Sequence, residues 1–233
     1  MRSKHSNQTL WVPDAASVWN FNEASGTCYD AKGNADLTMA GCVYNGDSIT
    51  CDQSSSANYF NAPSGKYAAR DKFSCFLIFK CNTTTVDSDI LTVSSGIAGG
   101  TTDYTWYFDT DSASTGFILG VATASSYGAQ VGASPGAIDT TKKYYALFGY
   151  ERMPGTGVNR AFLYFLKDGD SAPTTATSLV MNDMITTSTH SVRPRAHATG
   201  TSCSVNYYHM RYWDNEYLEN PDVLDRLIKL QNS

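Results

Sequence analysis

The chain has 233 residues, of which 42% are hydrophobic and 17% charged. A β-rich chain of this length is commonly one domain, and it can bury roughly 70–75% of its unfolded surface without help from metals or disulfides. A net charge of −5 does not suit a general nucleic-acid binder, the 12% aromatic content argues against disorder, and no window approaches the roughly 18 consecutive apolar residues of a membrane span.

Met1–Pro13 (MRSKHSNQTLWVP) carries two basic residues without an apolar stretch behind them, so it does not read as a secretory signal peptide. We expect it to be an N-terminal arm that contacts other subunits, and residues 14–233 to form the single domain. Six cysteines follow: Cys28, Cys42, Cys51, Cys75, Cys81 and Cys203. None has zinc spacing. Cys42 and Cys51 can close a short hairpin. Cys75 and Cys81 share one strand and lie about 20 Å apart, too far for a disulfide. The expectation is mostly reduced thiols.

The dominant period from residue 73 onward is two. Phe73–Cys81 is apolar at nearly every position and predicts a strand buried on both faces. Tyr104–Asp109 alternates Tyr104, Trp106 and Phe108 against Thr105, Tyr107 and Asp109. Gly116–Ala122 predicts a short strand. Lys143–Tyr150 and Arg160–Lys167 predict two long ones joined through the turn-rich Met153–Asn159, and Cys203–Trp213 predicts the last. One helix is signalled over 220–231. Asn220 suits the N-cap, Pro221 the first turn and Asp222 the positive end of the dipole, while Leu224, Leu227 and Ile228 form an apolar stripe. It is expected to cover an edge of the sandwich. The pattern predicts an all-β fold, a two-sheet antiparallel β-sandwich with a short C-terminal helix.

Three segments carry a resemblance. Trp19-Asn-Phe-Asn-Glu-Ala-Ser-Gly runs into Asp30-Ala-Lys-Gly-Asn34; Phe162-Leu-Tyr-Phe-Leu-Lys-Asp-Gly169 follows an apolar strand and a loop; Met210-Arg-Tyr-Trp-Asp-Asn-Glu-Tyr-Leu218 precedes the helix. In order and spacing they resemble the opening, central pair and closing strand of laminin G-like domains in the concanavalin A-like lectin/glucanase superfamily. The resemblance implies a jelly roll and a choice of functions among lectins, carbohydrate-binding modules, glycosidases and viral surface domains. One departure stands out. Where that family's closing strand begins with an acidic pair that can help hold calcium, this chain has Tyr208 and His209.

The glycosidases of this fold place two or three carboxylates on alternate residues of one strand. Glu23, Glu151, Glu216 and Glu219 form no such pattern, and Glu216 and Glu219 are expected to be solvated. For calcium, Asp30, Asn34 and Asp36 form one candidate loop and Asp109 with Asp111 another, against ordinary turn chemistry. For glycan or partner binding, the candidates are Tyr107 and Asp109, which share a strand face, Tyr127 in a Gly/Ser loop, and Tyr150 with Arg152 at a strand end; aromatic faces stack on sugars while charged and amide groups bond hydroxyls.

These features predict a non-catalytic recognition domain. It is expected on a virion surface, as a phage decoration, fibre or tail component, with other virion subunits or its own copies as partners and a cell-surface glycan as a further one. A secreted carbohydrate-binding module is the alternative. Neither nucleic acid nor membrane insertion is expected. The missing carboxylate pattern predicts no reducing-sugar release from β-glucans or galactans; release that disappears on changing a single Asp or Glu would overturn it.

Overall fold

The computed structural model describes residues 11–52, 58–67, 71–83, 89–94, 104–111, 113–121, 130–134, 136–156, 158–178, 191–193 and 203–232. Tyr127 and most of the N-terminal arm lie outside them.

Two antiparallel sheets face each other. The larger runs β13 (Thr174–Ser178), β12 (Arg160–Lys167), β11 (Tyr144–Glu151), β6 (Lys72–Cys81), β15 (Ser204–Asp214), β4 (Ile49–Asp52) and β3 (Val43–Tyr44), with β1 (Ser17–Trp19) also pairing with β15. The smaller runs β10 (Gln130–Ala133), β9 (Phe117–Val121), β8 (Tyr104–Thr110), β7 (Asp89–Ser94) and β14 (Ser191–Arg193). β2 (Thr38–Ala40) and β5 (Tyr59–Asn61) form a separate ribbon. Every strand expected from period two is present.

Alternation explains the core. Phe73, Cys75, Leu77 and Phe79 of β6, Tyr144, Ala146, Phe148 and Tyr150 of β11, and Trp106 and Phe108 of β8 all enter one buried cluster between the sheets. Its aromatics meet face on and edge on: Phe73 stacks on Trp106 at 5.0 Å and Phe108 on Phe148 at 4.7 Å, while Phe117 meets Phe165 edge-on at 5.2 Å. Such pairs add to their area burial.

The opposite face of the larger sheet is apolar too, which is why β6 is buried on both sides. Phe76, Ile78, Leu147, Phe162, Tyr164 and Trp213 form a second cluster there with Val223, Leu224 and Leu227 of α1 (Pro221–Gln231). The helix therefore lies on the outer face of the larger sheet, over β11 and β12, and not on the sandwich edge. A stripe that includes Val223, Leu224 and Leu227 needs a flat apolar partner, and period-two alternation in β11 and β12 supplies one. Asn220 caps it as expected, its side chain accepting from Asp222 N–H at 2.9 Å. The arm joins the fold before residue 14: Val12 packs on the second cluster, and Trp213 Nε1 donates to the Pro13 carbonyl at 2.8 Å.

Cys42 and Cys51 are disulfide-bonded, with Cα atoms 4.7 Å apart, and the bridge clamps the β3–β4 hairpin. Cys28, Cys75, Cys81 and Cys203 are buried thiols.

Two substitutions test this packing. Leu227→Ala is expected to cost about 2–5 kcal/mol by leaving a cavity under the helix. Gly120→Ala should cost about 1–3 kcal/mol, because an added Cβ would sit 2.0 Å from the Tyr107 ring. Urea unfolding measures both; a neutral Leu227→Ala would mean that the helix is not held by this cluster.

Candidate functional site

Most of the residues expected from sequence to bind do not form a surface. Tyr150 is fully buried between the sheets. Counting by twos from Tyr144 places it inward, and its position at a strand end does not free it. Tyr107 does point away from the main core, but its ring lies against Gly120 on the neighbouring strand, only 4% exposed, and its hydroxyl accepts from Gln130 Nε2 at 2.7 Å. Asp109 is 5% exposed and stands opposite Asp89 across β7 and β8. Arg152 is exposed at the far end of β11, 3.7 Å from Asp71. The candidates thus lie on two sheets and one loop, and the fold does not assemble them.

The candidate calcium loops are turn chemistry. Val18 and Lys32 N–H donate to Asp30 Oδ1 at 2.8 and 2.9 Å, and Asn34 and Ala35 N–H to Oδ2 at 3.0 Å each. Asp36 Oδ1 accepts from Asp30 N–H at 2.9 Å, and Asn34 Nδ2 donates to the Ala16 carbonyl. Burial pushes the Asp30 carboxyl up, but these donors outweigh it and hold the group below its ordinary value. A carboxylate ringed by N–H dipoles already has its positive partners, and those dipoles repel a cation. Asp30 instead ties the turn to β1. Asp111 behaves alike, accepting from Ala113 N–H at 3.2 Å, Thr115 N–H at 2.6 Å and Thr115 Oγ1 at 2.7 Å. Glu219 is not a freely solvated carboxylate either: it lies 3.8 Å from Arg160, which also pairs with Glu151 and rests over the Tyr217 ring.

What the fold does assemble is a cleft of about 490 Å³ on the outer face of the larger sheet. Ile78, Tyr145, Tyr208 and His209 form its base; Asn20 and Asn22 after β1, Gly46 and Asp47 at the tip of the β3–β4 hairpin, Lys143 before β11, and Gln231 and Asn232 at the end of α1 complete its lining. That size falls within the range of small-molecule sites.

A β-bulge creates it. Tyr207 pairs with Phe79 and His209 with Ile78, so Tyr208 is inserted. Before the bulge Val205 and Tyr207 face the main core; after it Met210 and Tyr212 do. The extra residue puts Tyr208 and His209 side by side on the cleft face. The hairpin tip is held by the disulfide, with Asn45 N–H donating to the Ser48 carbonyl at 2.9 Å. Between Asn20 and Asn22 the chain turns through Phe21, whose φ of 51° is unusual for a bulky residue. Packing of its ring on Phe60 and Tyr207 holds it there.

A relay of hydrogen bonds orders the base. Arg211 Nε donates to His209 Nε2 at 2.9 Å, which leaves the proton on Nδ1, and Nδ1 meets Asn20 Oδ1 at 3.0 Å. With its oxygen engaged, Asn20, which lines the cleft, has its NH2 as the group to offer a ligand. Burial, with a contribution from the Arg211 charge, pushes the His209 pKa down to about 3, so the ring is neutral at physiological pH. Lys143 Nζ sits 3.7 Å from the centre of the Tyr208 ring.

The sequence did carry a sign of this site: the apolar alternation slips phase between Tyr207 and Met210.

No known family profile matches the chain, and no curated protein matches it in sequence. Solved structures do resemble it in fold. Trypanosoma rangeli sialidase superposes with a TM-score of 0.62 at 11% identity, over 93% of this chain and 32% of the sialidase. The binding domain of botulinum neurotoxin DC, solved in complex with SialylT, gives 0.60 at 12% identity over 92% and 50%. The same domain in complex with rat synaptotagmin II gives 0.59 at 10% identity over 93% and 51%. The chain thus spans about a third of the sialidase and half of the toxin fragment.

The relay predicts a pH dependence. A histidine near pH 3 when folded and near 6.5 when unfolded contributes stability that is present above pH 6.5 and is lost as pH falls toward 3. NMR should find His209 as the Nδ1–H tautomer with no titration between about pH 5 and 8; a titration midpoint near 6.5 would show that the ring is solvated.

Proposed function

We propose that the chain is a non-catalytic saccharide-recognition domain that binds through the cleft around Tyr208. The observation that carries this reading is the company the bulge brings together: two half-buried tyrosines, amide side chains at Asn20, Asn22, Gln231 and Asn232, one carboxylate and one ammonium in a single open cleft. Amides donate and accept, which matches hydroxyls, and tyrosine faces match the apolar faces of pyranose rings. Most glycoside hydrolases use two carboxyl groups flanking the scissile bond, whereas sialidases use a tyrosine nucleophile. Asp47 is the single acidic residue among the described residues that line the cleft, which supports binding over hydrolysis by a carboxylate pair. The neutral, doubly hydrogen-bonded His209 is built to orient Asn20 and is a poor proton shuttle at neutral pH.

The resemblance to concanavalin A-like domains and the fold shared with a sialidase and with a toxin domain solved with SialylT agree with this reading. So does the departure at Tyr208 and His209, which exchanges an acidic pair for an aromatic and an amide-orienting histidine. The Cys42–Cys51 bridge suits an oxidising compartment and favours the extracellular alternative over an intracellular one. The fold neighbours lend no support to the virion placement; of the expected assembly arm, residues 12 and 13 pack on the domain, and residues 1–10 lie outside the described structure.

The test is a glycan array followed by calorimetry on the hits. Tyr208→Ala is expected to weaken binding about tenfold or more with the melting temperature unchanged, and Asn20→Ala to weaken it likewise while lowering the melting temperature, because it leaves the buried His209 Nδ1–H unpaired. Hits that survive both changes would place the site elsewhere.

A further inference from the structure

Lys143 occupies the face of Tyr208 that a sugar would need. Strand order places β6 between β11 and β15, so Lys143, at the start of β11, reaches across β6 to bring its ammonium 3.7 Å from the Tyr208 ring centre. No carboxylate of the described residues pairs with it. The cleft's own carboxylate, Asp47, stands on the other flank and forms no ion pair with it among the described residues. Tyr144, Phe79, Tyr207 and Ile49 stand in one row across the sheet, and Lys143 and Asp47 lie near its two ends. Three strand spacings of about 4.8 Å separate their backbones by about 14 Å, a gap that the Lys143 side chain spans in part on its way to Tyr208. His209 is neutral and adds no charge. Lys143 is thus the one cation among the described residues that line the cleft; Asp168, bonded through its backbone N–H to the Lys143 carbonyl, forms no ion pair with it, and Asn20, Asn22 and Asp47 make the other flank polar.

We propose that the cleft selects acidic saccharides, carboxylated or sulfated, and that Lys143 makes the selection; this rests on the saccharide-binding reading above. A ring that stacks on Tyr208 must first move the ammonium off it. A neutral sugar offers nothing in exchange for the lost cation–π contact. An acidic sugar supplies an anion for the ammonium to follow, and its ring takes the vacated face. The flexible stem of lysine allows that swing without moving the backbone. The hydroxyls of the next sugar unit then meet the NH2 of Asn20, the Asn22 amide and the Asp47 carboxylate, so the ligand lies across the strands with its acidic unit toward β11.

An array printed as matched neutral, carboxylated and sulfated members of the same oligosaccharides tests this on the whole chain. Acidic members are expected to bind about tenfold more tightly than their neutral partners at about 20 mM salt, with the gap closing near 1 M as the charge is screened. Lys143→Met should remove the preference, bringing neutral and acidic members together, with an unchanged melting temperature. The carboxylated and sulfated arms show which anion fits. Equal binding of neutral and acidic members by the unaltered protein would overturn the selection while leaving the saccharide reading standing. A preference that persists in Lys143→Met would remove Lys143 from the role. Binding of no member would overturn both.

Discussion

The bulge at Tyr208 is the feature on which the two faces of β15 depend. This strand pairs with β6 on one side and with β4 and β1 on the other, so its register is fixed by three neighbours. A regular strand would keep one parity throughout. If Val205 and Tyr207 point into the main core, then His209 and Arg211 would follow them there, and Met210 and Tyr212 would face the helix side. A buried arginine among stacked aromatics would be very costly. One inserted residue switches the parity, keeps apolar side chains in the core along the whole strand, and leaves the polar residues at 208, 209 and 211 on the other face. The same insertion that rescues the core opens the cleft.

Burial of His209 is tolerated because every polar atom of the ring is used. A buried imidazole with one bond would carry an unsatisfied nitrogen; here Arg211 and Asn20 take one each. The chain of donors has a direction, and the direction is set by arginine, which can only donate. Arg211 donates, His209 passes the sense along, and Asn20, a cleft residue, is left with its NH2 as donor. A flexible surface amide thereby becomes an ordered one, which lowers the entropy lost on binding. The neighbouring Phe21, held at positive φ by its own packing, fixes where that amide sits.

The helix has an equal part in shaping the site. By covering Phe76, Leu147, Phe162 and Tyr164 it leaves one stretch of the larger sheet's outer face uncovered, beyond its C-terminal end. The β3–β4 hairpin borders that stretch, and its disulfide keeps the tip in place although β3 has only two residues in the sheet. The cleft is bordered by a helix end, a clamped hairpin and a turn, all outside the regular strands, standing around a rigid strand-borne base.

The six strands β6, β8, β9, β11, β12 and β15, the two-sided burial of β6, the helix with its Asn220 cap and the sandwich class were legible in the chain, because each depends on residues close in sequence and on a fixed period of two or 3.6; the other described strands, two to six residues long, were too short to show a period. Tyr150 belongs with the legible features, since parity alone buries it. The site was not legible in that way. Asn20, Asp47, Lys143, His209 and Asn232 share no local pattern, and they meet only after β1, the β3–β4 hairpin, β11, β15 and α1 have been brought together by the larger sheet. The aromatic and acidic residues that looked available were consumed by packing: Tyr150 faces the core between the sheets, Tyr107 lies against Gly120 and Gln130 of the smaller sheet, and Asp109 is buried opposite Asp89. What the sequence by itself determined is the periodicity, and so the layers. Which residues those layers leave open to solvent, and which way a buried histidine turns an asparagine, depended on non-local pairing that only the tertiary structure decides.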